Sequence, residues 1–170
     1  MSSLYEGYKE ALRRGHVATL RERHDAAIVA YREAAKLAPD RALPYVGMAG
    51  ALARLGRTDE AFGAYRAALD RAPDDEGALR GYAELLETKG RPAEAATTYD
   101  RLAVVLDRSG RLAAACDVAR RALELAESRG RRRLVQDLVV RLRDNSEDDA
   151  AAQALERAMS VLDVDRVSLA

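Results

Sequence analysis

Apolar residues recur along this chain at steps of three and four and do not alternate. Over 45–52 they are Tyr45, Met48, Ala49 and Leu52, and over 61–69 they are Ala61, Phe62, Tyr65, Ala68 and Leu69. Each set falls on one face of an α-helix. Gly56 lies between the two sets, where a left-handed residue would end the first helix. Thr58-Asp59-Glu60 predicts the next start, a hydroxyl cap followed by acids in the first turn. Pro73 closes that second helix, and Asp74-Asp75-Glu76 opens another.

This two-helix unit repeats. Ala27, Ala61 and Ala95 are 34 residues apart, as are Tyr31, Tyr65 and Tyr99, and Arg23, Arg57 and Arg91. Gly15, Ala49 and Ala83 keep the same spacing, Gly56 recurs at Gly90, and Pro39 recurs at Pro73. A fixed period of this length is the signature of a repeat architecture, in which each unit buries its apolar face against its neighbours. Small residues at Ala49, Ala61 and Ala68 let the two helices of a hairpin approach closely. Tyr65 is expected to fill the space left at the end of that pair.

The pattern resembles the tetratricopeptide repeat. Its large, small, Tyr-like, Ala, aromatic, Ala and Pro positions are matched by Tyr45, Met48-Ala49, Leu52, Ala61, Tyr65, Ala68 and Pro73. Leu79, Tyr82-Ala83, Leu86, Ala95, Tyr99 and Leu102 match them one period on, with Asp107 where Pro is expected. The first unit is degenerate in its first helix (Ala11, Arg14-Gly15, Ala18) and regular in its second (Ala27, Tyr31, Ala34, Pro39). The resemblance implies an all-α fold of helical hairpins stacked in a right-handed superhelix, an α-solenoid. It divides one domain into units 8–41, 42–75 and 76–109.

After residue 109 the period breaks, and Gly-Arg recurs at 90, 110 and 130, now 20 apart. Residues 111–128, 132–143 and 147–163 read as further helices, with Ser146 as a cap of the last. They are expected to form a degenerate fourth hairpin and a terminal helix covering the open end of the stack. Pairing of the last two helices with a second copy is the alternative.

Composition narrows the function. The 28 basic and 28 acidic residues balance, so no global field steers the chain to nucleic acid or an anionic membrane. One Cys excludes an internal disulfide framework. Met1–Lys9 has no basic segment followed by an apolar core, and no run approaches the ~18 apolar residues of a span. A cytoplasmic protein is expected, and the abundance of Ala and Arg over Lys points to a bacterial genome. No phosphate loop, nucleophile elbow or dinucleotide fingerprint occurs. His16 and His24 lack an acid at metal-ligand spacing, and Cys116 lies on an apolar helix face. No enzyme activity, metal or cofactor is expected.

The resemblance also implies where a partner would bind. In tetratricopeptide proteins the first helix of each hairpin lines a concave groove. Carried over, those positions are Lys9, Leu12 and His16, with Thr19 and Leu20 beyond; then Leu43, Val46, Gly50, Ala53 and Arg54; then Arg80, Glu84 and Glu87. The middle set is apolar and small, which suits a helix or extended peptide of another protein, with Arg54 and Arg80 meeting acidic side chains. One subclass clamps the C-terminal carboxylate of heat-shock chaperones through cationic and amide side chains. Here those positions carry Leu12, His16, Gly47, Gly77 and Gly81, so that mode is not expected. A monomeric adaptor is the leading reading. A self-assembling scaffold subunit and a small secretion-type chaperone are the alternatives. The Arg129–Arg133 run reads as a solvated helix connection, its field offset by the four acids within 144–149.

Overall fold

The computed structural model describes residues 2–144 and 149–167. Among these are nine α-helices and no strand. They are α1 (Ser2–Leu20), α2 (His24–Leu37), α3 (Leu43–Arg54), α4 (Thr58–Arg71), α5 (Glu76–Thr88), α6 (Pro92–Arg108), α7 (Leu112–Leu125), α8 (Arg129–Asp144) and α9 (Asp149–Val167). The all-α hairpin architecture is that expected. No described helix is long and apolar enough to cross a membrane. The chain forms two compact units, Met1–Leu85 and Leu86–Ala170.

The helix junctions are built alike. Gly56, Gly90 and Gly110 have φ of 72°, 70° and 76°. The amide of the following Arg then donates back to the end of the preceding helix: Arg57 to Leu52 O at 3.0 Å, Arg91 to Leu86 O at 2.9 Å and Arg111 to Leu106 O at 3.0 Å. This closure satisfies a carbonyl the helix would leave open. The Arg also replaces the expected hydroxyl cap. Thr58 makes no capping bond, and its hydroxyl donates instead to Gly56 O at 3.3 Å. Arg57 and Arg91 are the N-caps, each gripping the Glu three residues on, Glu60 at 2.7 Å and Glu94 at 2.6 Å.

Glu22 occupies the same left-handed position in the first junction, with φ 55° and Arg23 N donating to Ala18 O at 2.9 Å. A side chain there costs backbone energy that glycine avoids. Glu22→Gly is expected to stabilise the protein by about 0.5–1 kcal/mol, a rise of roughly 2 °C in Tm, read by thermal circular dichroism. An unchanged or lower Tm would show that the Glu side chain offsets its own strain.

In the first unit α1 packs on α2, α3 on α4, and α2 on α3. Ala27, Ala49, Ala61 and Ala68 are fully buried, consistent with helices in close approach. The tyrosines do something other than fill the end of a pair. Tyr31, 2 % exposed, wedges its ring between two glycines, one on each flanking helix. A Cβ on Gly15 of α1 would lie 2.6 Å from the ring, and one on Gly47 of α3 would lie 2.5 Å from it. Tyr65 likewise stands over Gly81 of α5, where a Cβ would come within 2.2 Å of its hydroxyl oxygen. Each ring therefore seals the junction between successive hairpins. The missing Cβ atoms make the room.

In the second unit α6 pairs with α7, α7 with α8 and α9, and α8 with α9. Leu102, Leu106, Ala115, Cys116 and Ala122 are fully buried. Burial and, next, the Asp117 carboxylate push the Cys116 thiol up to about 11, so it is protonated and inert at neutral pH. Residues 129–131 belong to α8 and do not form a connection as expected. Ser128 caps that helix, accepting from Arg131 N at 3.2 Å. The basic run is neutralised in part. Arg131 holds the Asp100 carboxylate at 2.9 Å, Arg132 pairs with Glu127, and Arg141 grips Asp107 with two bonds of 2.9 and 2.7 Å. α9 lays Ala151, Ala154 and Ala158 inward, and Arg157 holds Asp117 at 2.8 and 2.7 Å. The expected Ser146 cap lies outside the described residues.

Candidate interaction surface

The predicted partner-binding positions divide between the two units. Ten belong to the first, on α1, α3 and α5. Glu87 belongs to the second. There its carboxylate pairs with Arg121, whose hydrogen bond holds it below its ordinary value of 4.5. Glu87 therefore ties the end of α5 to α7.

Within the first unit the positions differ in availability. Lys9 is exposed but engaged, 3.1 Å from Glu6 and 5.0 Å above the Tyr5 ring. Leu12 is half-buried. His16 is exposed and meets Tyr31 edge-on, ring centroids 5.6 Å apart. Leu43 is 46 % exposed, an apolar side chain left partly in water. Val46 is half-buried because α5 passes close beside it, a Cβ on Gly77 lying 3.3 Å from its γ-carbon. Gly50 and Ala53 are half-buried. Arg80 pairs with Glu76 at 3.2 Å. Glu84 is exposed, and after burial itself its carboxylate is what raises the Tyr65 phenol above 10. Arg54 is exposed and forms no ion pair among the described residues.

Thr19, Leu20, Val46, Gly50 and Arg54 converge on one cleft of ≈ 340 Å³. Glu22, His24, Tyr31 and Gly47 complete its wall. Leu20, at its edge, is 85 % exposed. His24 Nδ1 is buried there with no hydrogen-bond partner among the described residues. The α1–α2 junction is the part of this site that sequence reasoning missed. Its signal was present: Glu22 falls one period before Gly56, so a side chain stands where the other units have none.

Two of the carboxylate-clamp positions are closed by packing. Gly47 lies under Tyr31 and Gly81 under Tyr65, and any side chain at either place would collide with a ring. Among the described residues no group of His, Cys, Asp and Glu could hold a metal ion.

Family profiles described as tetratricopeptide repeat match residues 46–103, and again 11–41 and 96–129, together more than half of the chain. The last match begins inside α6, so α6 serves in sequence both as the second helix of one repeat and as the first of the next. No curated protein matches the chain in sequence. Among solved structures it is similar to the TPR2B domain of yeast Sti1 in complex with a peptide of Hsp70. That match has TM-score 0.66 and 23 % identity, over 73 % of this chain and 99 % of that one. It is also similar to the first TPR of Spaghetti (RPAP3) bound to an HSP90 peptide, with TM-score 0.56 and 15 % identity over 81 % and 96 % of the two chains. Pseudomonas aeruginosa pilF matches with TM-score 0.54 and 18 % identity over 94 % and 78 %. At these identities the likeness is one of fold.

Proposed function

The chain belongs to the tetratricopeptide-repeat family, and from that premise we propose that it is a non-catalytic protein–protein interaction module whose partner binds along α1, α3 and α5 of the first unit. The observation that carries this reading is the open cleft with the largely exposed Leu20 in its wall and Arg54 lacking a carboxylate, on a unit whose Leu43 is also part-exposed. Exposed apolar side chains rimming a cleft are a common mark of an interaction surface. The partner would be a helix or extended segment that places an apolar side chain against Val46 and Gly50 and an acidic one at Arg54.

Two of the similar structures are complexes with heat-shock peptides. This chain would not hold a terminal carboxylate in the same manner. Its corresponding positions are an apolar residue, a histidine and glycines, two of them packed beneath tyrosine rings. A carboxylate clamp needs several converging donors.

The test is capture of partners by the tagged full chain, followed by mass spectrometry, beside a Leu43→Glu/Arg54→Glu variant. Both side chains are exposed, so helical circular dichroism should be unchanged. Partner capture is expected to fall at least about tenfold, as loss of a central contact does. A partner retained in full by a folded variant would move the binding surface elsewhere.

A further inference from the structure

A second cleft in the first unit, of ≈ 490 Å³, is formed by α2 and α4 with the side of α3 beneath them. Its floor is apolar, made by Ala35, Met48, Leu52, Ala64 and Ala67. We propose that this cleft is a docking site for an acidic amphipathic helix of another protein, distinct from the α1/α3/α5 face.

Three observations carry it. The cleft exists because its residues are small. One period later in the sequence Ala35, Gly63, Ala64 and Ala67 become Leu69, Thr97, Thr98 and Arg101. The repeat itself thus does not require small residues at these places. Gly63 is exposed, and a Cβ built on it meets nothing within 4 Å, so real space stands over the floor.

The rim is positively charged. Arg32 and Lys36 lie one turn apart on α2, both exposed, and neither forms an ion pair among the described residues. Glu60, on the α4 side, offsets them only in part: Arg57 holds both its oxygens at 2.7 Å, and Arg32 acts on the same carboxylate from farther away. In a chain of zero formal net charge, three cations (Arg32, Lys36 and Arg57) around one carboxylate beside an apolar trough are a local asymmetry. They call for carboxylates in the occupant.

The geometry favours a helix over a small molecule. The cleft is open to solvent, whereas a small ligand's site buries most of its surface. Side chains one turn apart are ~5–6 Å apart, which is also the spacing of two carboxylates at i and i+4 on a helix. Such a helix can set a large apolar side chain into the Ala/Gly-lined floor while its acids reach Arg32 and Lys36.

The experiment is selection from a displayed library of 20-residue helical peptides on the full chain. The apolar face is fixed, and the flanking charged positions are randomised among Glu, Lys and Gln. Enrichment of Glu pairs at i,i+4 is expected. Binding of the enriched peptide, by fluorescence anisotropy, should weaken about tenfold in Arg32→Glu/Lys36→Glu. It should be lost in Gly63→Leu, which fills the trough while improving helix propensity, so folding is not the cause. It should survive Leu43→Glu/Arg54→Glu, which separates this site from the proposed partner face. Selection of Lys or uncharged peptides, or binding indifferent to Gly63→Leu, overturns the proposal. So does a concentration-dependent dimer that Gly63→Leu abolishes, since a second copy would then be the occupant.

Discussion

Tyr31→Ala is expected to lower stability by about 3–5 kcal/mol, the range for removing a buried aromatic side chain. The upper part of that range applies because of what surrounds the ring. Gly15 and Gly47 present bare backbone to its two sides, and neither has a side chain that could relax into the void. The cost of such a cavity depends on how far its walls can collapse, and helix backbone collapses little. The lesion also falls where α1, α2 and α3 meet, so two successive hairpins lose their contact together. Tyr31→Phe keeps the wedge. It forfeits only the hydroxyl's contact with Thr19 Oγ1 at 3.2 Å, a loss of about 1 kcal/mol. Urea titrations followed by circular dichroism compare the two. A Tyr31→Ala protein as stable as Tyr31→Phe would mean that the ring does not hold the hairpins together.

The second large effect belongs to α9. Removing residues 145–170 is expected to cost on the order of 5 kcal/mol, the value of ~200 Å² of apolar surface returned to water. α9 packs on α7 and α8 through a nearly pure alanine face, Ala151, Ala154 and Ala158. Leu142, 3 % exposed, borders the same junction as Ala151. Truncation uncovers this face and also takes from Asp117 its two bonds from Arg157, leaving it, among the described residues, only Arg120 at 3.9 Å. The shortened protein should melt lower and self-associate, because contiguous exposed apolar surface promotes association. Light scattering and differential scanning calorimetry read both effects. A point change serves as control: Ala154→Arg, at a fully buried position, should undock α9 with the chain intact. A truncated protein that stays monomeric with an unchanged Tm would remove α9 from any covering role.

The sequence by itself determined the helical hairpins and the stacking of like upon like. The period of 34 is written in residues whose role is local. A helix face needs apolar side chains at three- and four-residue steps, and a left-handed junction needs glycine. Gly56, Gly90, Ala61 and Tyr65 could therefore be placed from the string alone. Where a role depended on another segment, the string was silent. The hydroxyl cap expected at Thr58 gave way to Arg57, whose amide is held by Leu52 of the preceding helix and whose guanidinium is held by Glu60. Arg131 read as solvated charge but was claimed by Asp100, 31 residues away, just as Arg141 is held by Asp107, 34 residues away. Glu87, aligned with a binding surface, was taken by Arg121. The tertiary structure alone decided which charges were spent on holding helices together. It also decided which glycines were spaces for tyrosine rings. Pairing across 30 residues leaves no local pattern, and the space beneath a ring exists only once both helices are in place.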